Sequence, residues 1–200
     1  GGGKGGISVD PKKLSERELE NLSRGYIRGL YKYLGERIDI PAPDVNTNGK
    51  IMSYFIDEYI KLNGDKEDIG TFTGKPLILG GSLGRSEATG YGVVITTKYT
   101  AKKMGLDLKN AEIGLQGFGN VGSFTLKYLT EEGAKVRYLS IRDESEECGR
   151  SALYSEDGFD YDSLQKYRDE HKSLVGYPHA KKISDKEFWE SKFDILIPAA

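Results

Sequence analysis

Three short stretches of this 200-residue chain carry side chains whose type and spacing could do chemistry. Residues 1–6 hold one lysine, Lys4, inside five glycines. Two readings are open for it. One is a flexible glycine run. The other is an ammonium that backbone and substrate can crowd, because its neighbours have no side chains. Crowding and burial disfavour the charged form of lysine and move its pKa toward the range useful for proton transfer. Asp44 follows Pro41-Ala42-Pro43, a lead-in whose prolines have fixed φ and no N–H to donate. An aspartate between a proline and a helix is most often a turn or N-cap residue. A rigid approach would also fix its carboxylate for proton transfer. The third stretch, Gly117-Phe118-Gly119-Asn120-Val121-Gly122, has the G-x-G-x-x-G spacing of a backbone that can close around an anion.

The elements around the third stretch give it meaning. Ala111 to Leu115 is a short apolar run, the segment from the glycines to Glu132 is helix-like, and Gly133 stops it. Lys135 to Leu139 then reads as a second strand. Strand, G-x-G-x-x-G, helix and strand within about thirty residues is the context the dinucleotide fingerprint requires. Gly117 permits the tight turn, Gly119 lets the backbone approach a pyrophosphate, and Gly122 allows close helix–strand packing. The helix N-terminus adds unpaired N–H groups and partial positive charge. About twenty residues past the last glycine, an acidic residue would favour the ribose hydroxyls of NAD. Asp143 stands there, beside Arg142, which could accept the 2′-phosphate of NADP. A shift of one residue in register exchanges the two, so the residues by themselves leave NAD and NADP both open.

Upstream, Ser15 and Glu18 form a capping box, and Leu19, Leu22, Tyr26, Leu30 and Tyr33 mark a buried helix face. Gly35 is expected as its left-handed cap. Ile38 and Ile40 suggest a brief strand, and Ile51 to Ile60 an amphipathic helix ending near Asn63-Gly64. Asp65 to Lys75, polar and punctuated by glycine, is the expected domain boundary, giving domains 1–74 and 75–200. Gly80 to Gly90 opens a helix running to Met104, with Gly105 as its stop. Helices are expected near Tyr161–His171 and Ser184–Glu190, and a last strand over Phe193–Ile197. Strand–helix alternation predicts an α/β fold with a Rossmann-like doubly wound parallel sheet.

The bulk composition excludes several classes. A net charge of −2 without a Lys/Arg stripe gives no case for nucleic acid. No apolar run approaches membrane-spanning length. The lone Cys148 cannot form an internal disulfide, which fits a reducing cytoplasm. His171 and His179 lack ligand spacing and are expected at the surface, so no metal site is expected. An opening on glycines and a close on an apolar run read as cuts through a longer protein.

Taken together, these segments resemble the glutamate dehydrogenase family, and most nearly its clostridial-type bacterial members. Gly1-Gly2-Gly3-Lys4-Gly5-Gly6 is similar to the family's active-site lysine motif, and Pro41-Ala42-Pro43-Asp44-Val45-Asn46-Thr47 to its catalytic aspartate segment. Gly80 to Gly90 and Gln116 to Gly122 resemble its nicotinamide- and pyrophosphate-facing segments. The resemblance implies that residues 1–74 end a smaller α/β substrate domain ahead of the Rossmann-like one. It implies reversible oxidative deamination of L-glutamate to 2-oxoglutarate and ammonia, with hydride passing to NAD(P), and its clostridial-type members favour NAD, with NADP possible. Lys4 and Asp44 would be catalytic, and the Pro43 carbonyl would hold the substrate amine. Thr89 would contact the nicotinamide, and Gly117, Phe118, Gly119, Asn120, Val121, Gly122 and Asp143 the dinucleotide. The family is usually hexameric, so a homo-oligomer of the full-length protein is implied, and this chain alone is expected to turn over little glutamate. A leucine, valine or phenylalanine dehydrogenase is the neighbouring alternative, and a non-catalytic nucleotide-binding module the more distant one.

Overall fold

The computed structural model describes residues 3–64 and 68–200. Gly1, Gly2 and the start of the expected boundary, Asp65 to Glu67, lie outside the described residues. The chain divides into two compact units, Gly1–Arg85 and Ser86–Ala200. That division falls later than the boundary expected after residue 74. Lys75 is buried and its ammonium donates to the Phe72 carbonyl at 2.7 Å, so the chain just past residue 74 is still part of the first unit's packing.

In the first unit, helix α1 (Glu16–Leu30) begins at the expected capping box, Ser15 and Glu18 bonding reciprocally. Helix α2 (Gly49–Asn63) is capped by Asn48, whose side chain accepts from the N–H groups of Lys50 and Ile51, and it ends on left-handed Gly64. Ile27, Met52, Phe55, Ile56, Tyr59 and Phe72 form the core between and beside them. The outer edge of the helix pair is ionic. Arg24 reaches Glu20, Asp57 and Glu58, and Arg28 binds Glu58 at 2.6 Å. Two local expectations fail. Helix α1 stops at Leu30 and tightens into a 3-10 turn over Tyr31–Tyr33, so Gly35 is not its left-handed cap. Ile38 and Ile40 form no strand: a single bridge joins Leu34 to Asp39, and both isoleucines are exposed. An isolated extended piece without a paired neighbour has no ladder to hold it.

The second unit starts with α3 (Ala88–Met104), which ends on left-handed Gly105. There follow β1 (Ile113–Gln116), α4 (Asn120–Glu131), β2 (Val136–Arg142) and β3 (Arg150–Tyr154). Then come α5 (Tyr161–His171), β4 (Lys181–Ser184), α6 (Asp185–Glu190) and β5 (Ile195–Pro198). The sheet order is β4-β3-β2-β1-β5. Strands β1, β2 and β5 are parallel, as the strand–helix alternation predicts, whereas β3 runs antiparallel to both β2 and β4. Residues 143–149 are too short a link for a crossover, and a connection of that length returns the chain as a hairpin. One face of the sheet packs Leu115, Leu139 and Ile141 against Leu126, Leu129 and Leu164 of α4 and α5. The other packs Ala152 and Ile183 against Phe188 of α6, with Tyr138 and Phe193 beside them. Helices on both faces make the sheet doubly wound.

Candidate functional site

In the first unit the chemistry gathers at Asp44. Its loop closes on itself: the Thr47 N–H donates to the Asp44 carbonyl at 3.0 Å, and the Thr47 hydroxyl accepts from the Asp44 N–H. Asn46 takes a left-handed conformation to complete the turn. The proline lead-in is clamped from residues 73–74. The Thr73 N–H donates to the Pro41 carbonyl at 3.0 Å, and a Cβ on Gly74 would lie 2.5 Å from the Pro43 ring. The carboxylate is thereby aimed. The Val45 N–H donates to its Oδ1 at 3.0 Å, and Lys4, forty residues away, ion-pairs with its Oδ2. The Lys4 hydrogen bond, then the Lys4 charge and the Val45 N–H, hold the Asp44 carboxyl below the usual carboxylate range. Lys4 is open to solvent. Its side chain is 74% exposed, and the positions a Cβ would take on Gly3 and Gly6 have no neighbour. Gly5 does have a steric task, since a Cβ there would meet the Tyr26 hydroxyl at 2.8 Å.

In the second unit the turn between β1 and α4 has the geometry its glycines foretell. Gly117 has φ +93° and donates its N–H to the Ser140 carbonyl of β2 at 2.8 Å. Gly119 is the N-cap of α4, with open space where a Cβ would be. A Cβ on Gly122 would fall 2.0 Å from the Gly117 carbonyl oxygen, so only glycine lets helix and turn come this close. Among the described residues no side chain caps the α4 N-terminus. Phe118 is buried beneath the turn and Val121 half-buried, while the Asn120 side chain donates to the Ser86 carbonyl at 2.7 Å. That bond, with the Tyr128 hydroxyl donating to Glu87 at 2.7 Å, ties the start of α3 to α4. The Glu87 carboxylate pushes the Tyr128 phenol up to about 12. Exposed Thr89 stands in the first turn of α3, whose Gly90 packs closely on Phe124 and Thr125 of α4.

Asp143 is engaged inside the fold. It is 2% exposed, and its carboxylate accepts from Lys182 at 2.7 Å, from the Ser151 hydroxyl at 2.8 Å and from the Ser145 N–H at 3.0 Å. Lys182 first, then Ser145, holds its pKa far below the usual range. The exposed side chain at the end of β2 is Arg142 instead, 3.3 Å from Glu144. Sequence reasoning passed over Arg168 of α5, which donates to the Phe118 carbonyl at 2.6 Å. A basic residue in the last turn of a helix carries no signal of so distant a partner. Among the described residues no group of three His, Cys, Asp or Glu side chains could hold a metal ion.

A parallel-rich sheet with a bare, glycine-lined helix N-terminus at the C-terminal end of its first strand defines a dinucleotide-binding class of fold. Residues 1–61 match the model of the Glu/Leu/Phe/Val dehydrogenase dimerisation domain, and residues 80–200 that of glutamate/leucine/phenylalanine/valine dehydrogenase. The chain belongs to this family. It is 58% identical to the NAD-specific glutamate dehydrogenase of Peptoniphilus asaccharolyticus, and 54% to that of Clostridioides difficile. In both cases all of this chain and 47% of the relative are covered, so the chain spans about half the length of the curated relatives it matches. The solved Peptoniphilus asaccharolyticus glutamate dehydrogenase superposes with a TM-score of 0.74 at 52% identity, covering 96% of this chain and 43% of that one. The hetero-hexameric glutamate dehydrogenase of Thermus thermophilus superposes at 0.84 and 30% identity, over 96% and 44%.

Proposed function

We propose that the protein carrying this chain is a glutamate dehydrogenase that deaminates L-glutamate oxidatively and reversibly, with NAD as hydride acceptor. The observation that carries the reading is the Lys4–Asp44 pair: two groups of opposite charge, forty residues apart, joined on a loop that prolines and Thr47 hold rigid. Residues 1–74 serve substrate chemistry and residues 75–200 the dinucleotide. Lys4 polarises the substrate carbonyl and activates the water that hydrolyses the imine. Asp44, kept ionised by Lys4, takes and returns the protons of the amino group, and the Pro43 carbonyl orients that amine. The α4 N-terminus fits a dinucleotide: its N–H groups are uncapped, and the space beside Gly119 is open. NAD, when bound there, supplies the hydride acceptor. The backbone of Gly117, Phe118, Gly119, Asn120, Val121 and Gly122 holds the pyrophosphate, and Thr89 the nicotinamide amide.

Asp143 enters this reading indirectly, fixing the loop after β2, since its carboxylate is engaged inside the fold. The NAD preference rests on the two NAD-specific relatives, while an NADP-specific relative from Saccharolobus shibatae, 46% identical, keeps NADP within reach. The same relatives favour glutamate over leucine, valine or phenylalanine. A homo-oligomer in the cytoplasm, without nucleic-acid or membrane partners, completes the reading. No helix among the described residues is long and apolar enough to cross a membrane.

Lys4→Ala and Asp44→Asn in the complete enzyme test it. Each is expected to cut glutamate turnover by about a hundredfold or more, the range for lost acid–base groups, with NADH affinity within a few-fold. Turnover that survives either change, or activity on leucine exceeding that on glutamate, refutes it.

A further inference from the structure

Among the described residues, the Phe118–Gly119 peptide is the one link of the glycine turn whose carbonyl is held by a charged side chain. The Arg168 Nη1 donates to the Phe118 oxygen at 2.6 Å, and its guanidinium lies over the Phe118 ring, 5.1 Å from the centroid. The group is steadied in turn by Gln165, whose Oε1 accepts from Nη2 at 2.7 Å. Phe118 is itself buried, so the contact has a fixed floor. In a trans peptide the C=O and the following N–H point to opposite sides of the chain. Pinning the Phe118 oxygen toward α5 therefore aims the Gly119 N–H away from it. Among the described residues no atom lies within 4 Å of where a Gly119 Cβ would stand.

We propose that Arg168 is a positioning residue for the dinucleotide pyrophosphate, locking the Phe118–Gly119 peptide so that it offers the anion an N–H donor. Its importance follows from the glycine. Gly119 has no Cβ to restrain its backbone, so the peptide before it can rotate at little cost. With Arg168 gone, the Phe118 carbonyl is free to turn toward the phosphates and set an acceptor where a donor is needed. The cation adds a second effect of the same sign, since its charge lies close behind the turn and favours a bound anion. Neither effect touches the reacting carbon. This inference rests on reading the turn as the NAD site.

The test uses the full-length enzyme with Arg168→Met and Arg168→Lys. Methionine keeps an apolar contact with Phe118 but donates nothing, whereas lysine restores one donor and the charge. Arg168→Met should weaken NADH about ten- to a hundredfold, the worth of one hydrogen bond serving a charged group. The KM for NAD should rise with it, while kcat at saturating NAD stays within about twofold, because an interaction made alike in ground and transition states alters KM alone. Arg168→Lys should recover most of the affinity. NADH bound by Arg168→Met as tightly as by the wild type overturns the proposal. So does a loss that lysine fails to restore, which would mark a merely structural role. If the wild-type enzyme binds no NADH, the reading of the turn itself fails, which is a distinguishable result.

Discussion

Alanine at two helix-interior glycines of the second unit should act in opposite directions. Gly92 lies within α3, and a Cβ there meets no atom within 4 Å. Replacing it removes the entropic cost of glycine in a helix and should stabilise by about 0.5–1 kcal/mol. Gly122 lies within α4 and would gain the same propensity term. Its Cβ, however, would stand 2.0 Å from the Gly117 oxygen and 2.8 Å from the Gly117 carbonyl carbon. Both are backbone atoms of a turn already tied to β2 by the Gly117 N–H bond to Ser140, so helix and turn must part by more than an ångström. Overpacking of this kind costs about 1–3 kcal/mol, which outweighs the propensity gain. The net effect of Gly122→Ala is then a loss of roughly 1–2 kcal/mol, a few degrees in Tm for a chain this size. The displaced turn should also lose NADH affinity by about tenfold or more, since misplaced donors no longer converge on the pyrophosphate. Thermal melts of the two variants, with NADH titrations alongside, make the comparison direct. A Gly122→Ala protein as stable as Gly92→Ala, binding NADH normally, would refute the steric argument.

The buried Asp143 should make the second unit acid-sensitive. Its folded pKa is depressed, so its stabilisation is complete above the unfolded-chain value of about 3.9 and is lost as pH falls through the folded value. The stability gap between wild type and Asp143→Asn, read by urea unfolding, should therefore narrow progressively below about pH 4; a constant gap would place the effect elsewhere. Lys182→Met should lower the urea midpoint at neutral pH, by less than the loss of a fully buried partner would, because Lys182 is 42% exposed and the serine donors remain. In the first unit, Arg24→Met should destabilise by about 2 kcal/mol by leaving Glu58 to Arg28 alone. Lys50→Ala, which breaks the exposed pair with Glu16, should leave the melting temperature unchanged.

Much of this architecture is legible locally. The box Ser15–Glu18, the left-handed stops at Gly64 and Gly105, and the span of α5 stand where the residues place them. Each depends on partners three or four residues apart, or on one backbone angle, and such preferences are written in residue type. The G-x-G-x-x-G turn belongs with them, because its demands on Gly117 and Gly122 are steric and arise within six residues. Local signals misled where a partner was absent or the competing geometry lay nearby. Gly35 was passed over when α1 tightened into a 3-10 turn, and Ile38 and Ile40 had no strand to pair with. Tertiary structure alone decided the rest. It joined Lys4 to Asp44 and Arg168 to Phe118, reversed β3 in the sheet, and turned the Asp143 carboxylate inward onto Lys182 and Ser151. Those outcomes depend on where the folded backbone sets residues that are distant in sequence. No spacing along the chain encodes it, because the direction of a side chain at the end of a strand is settled by what packs around it.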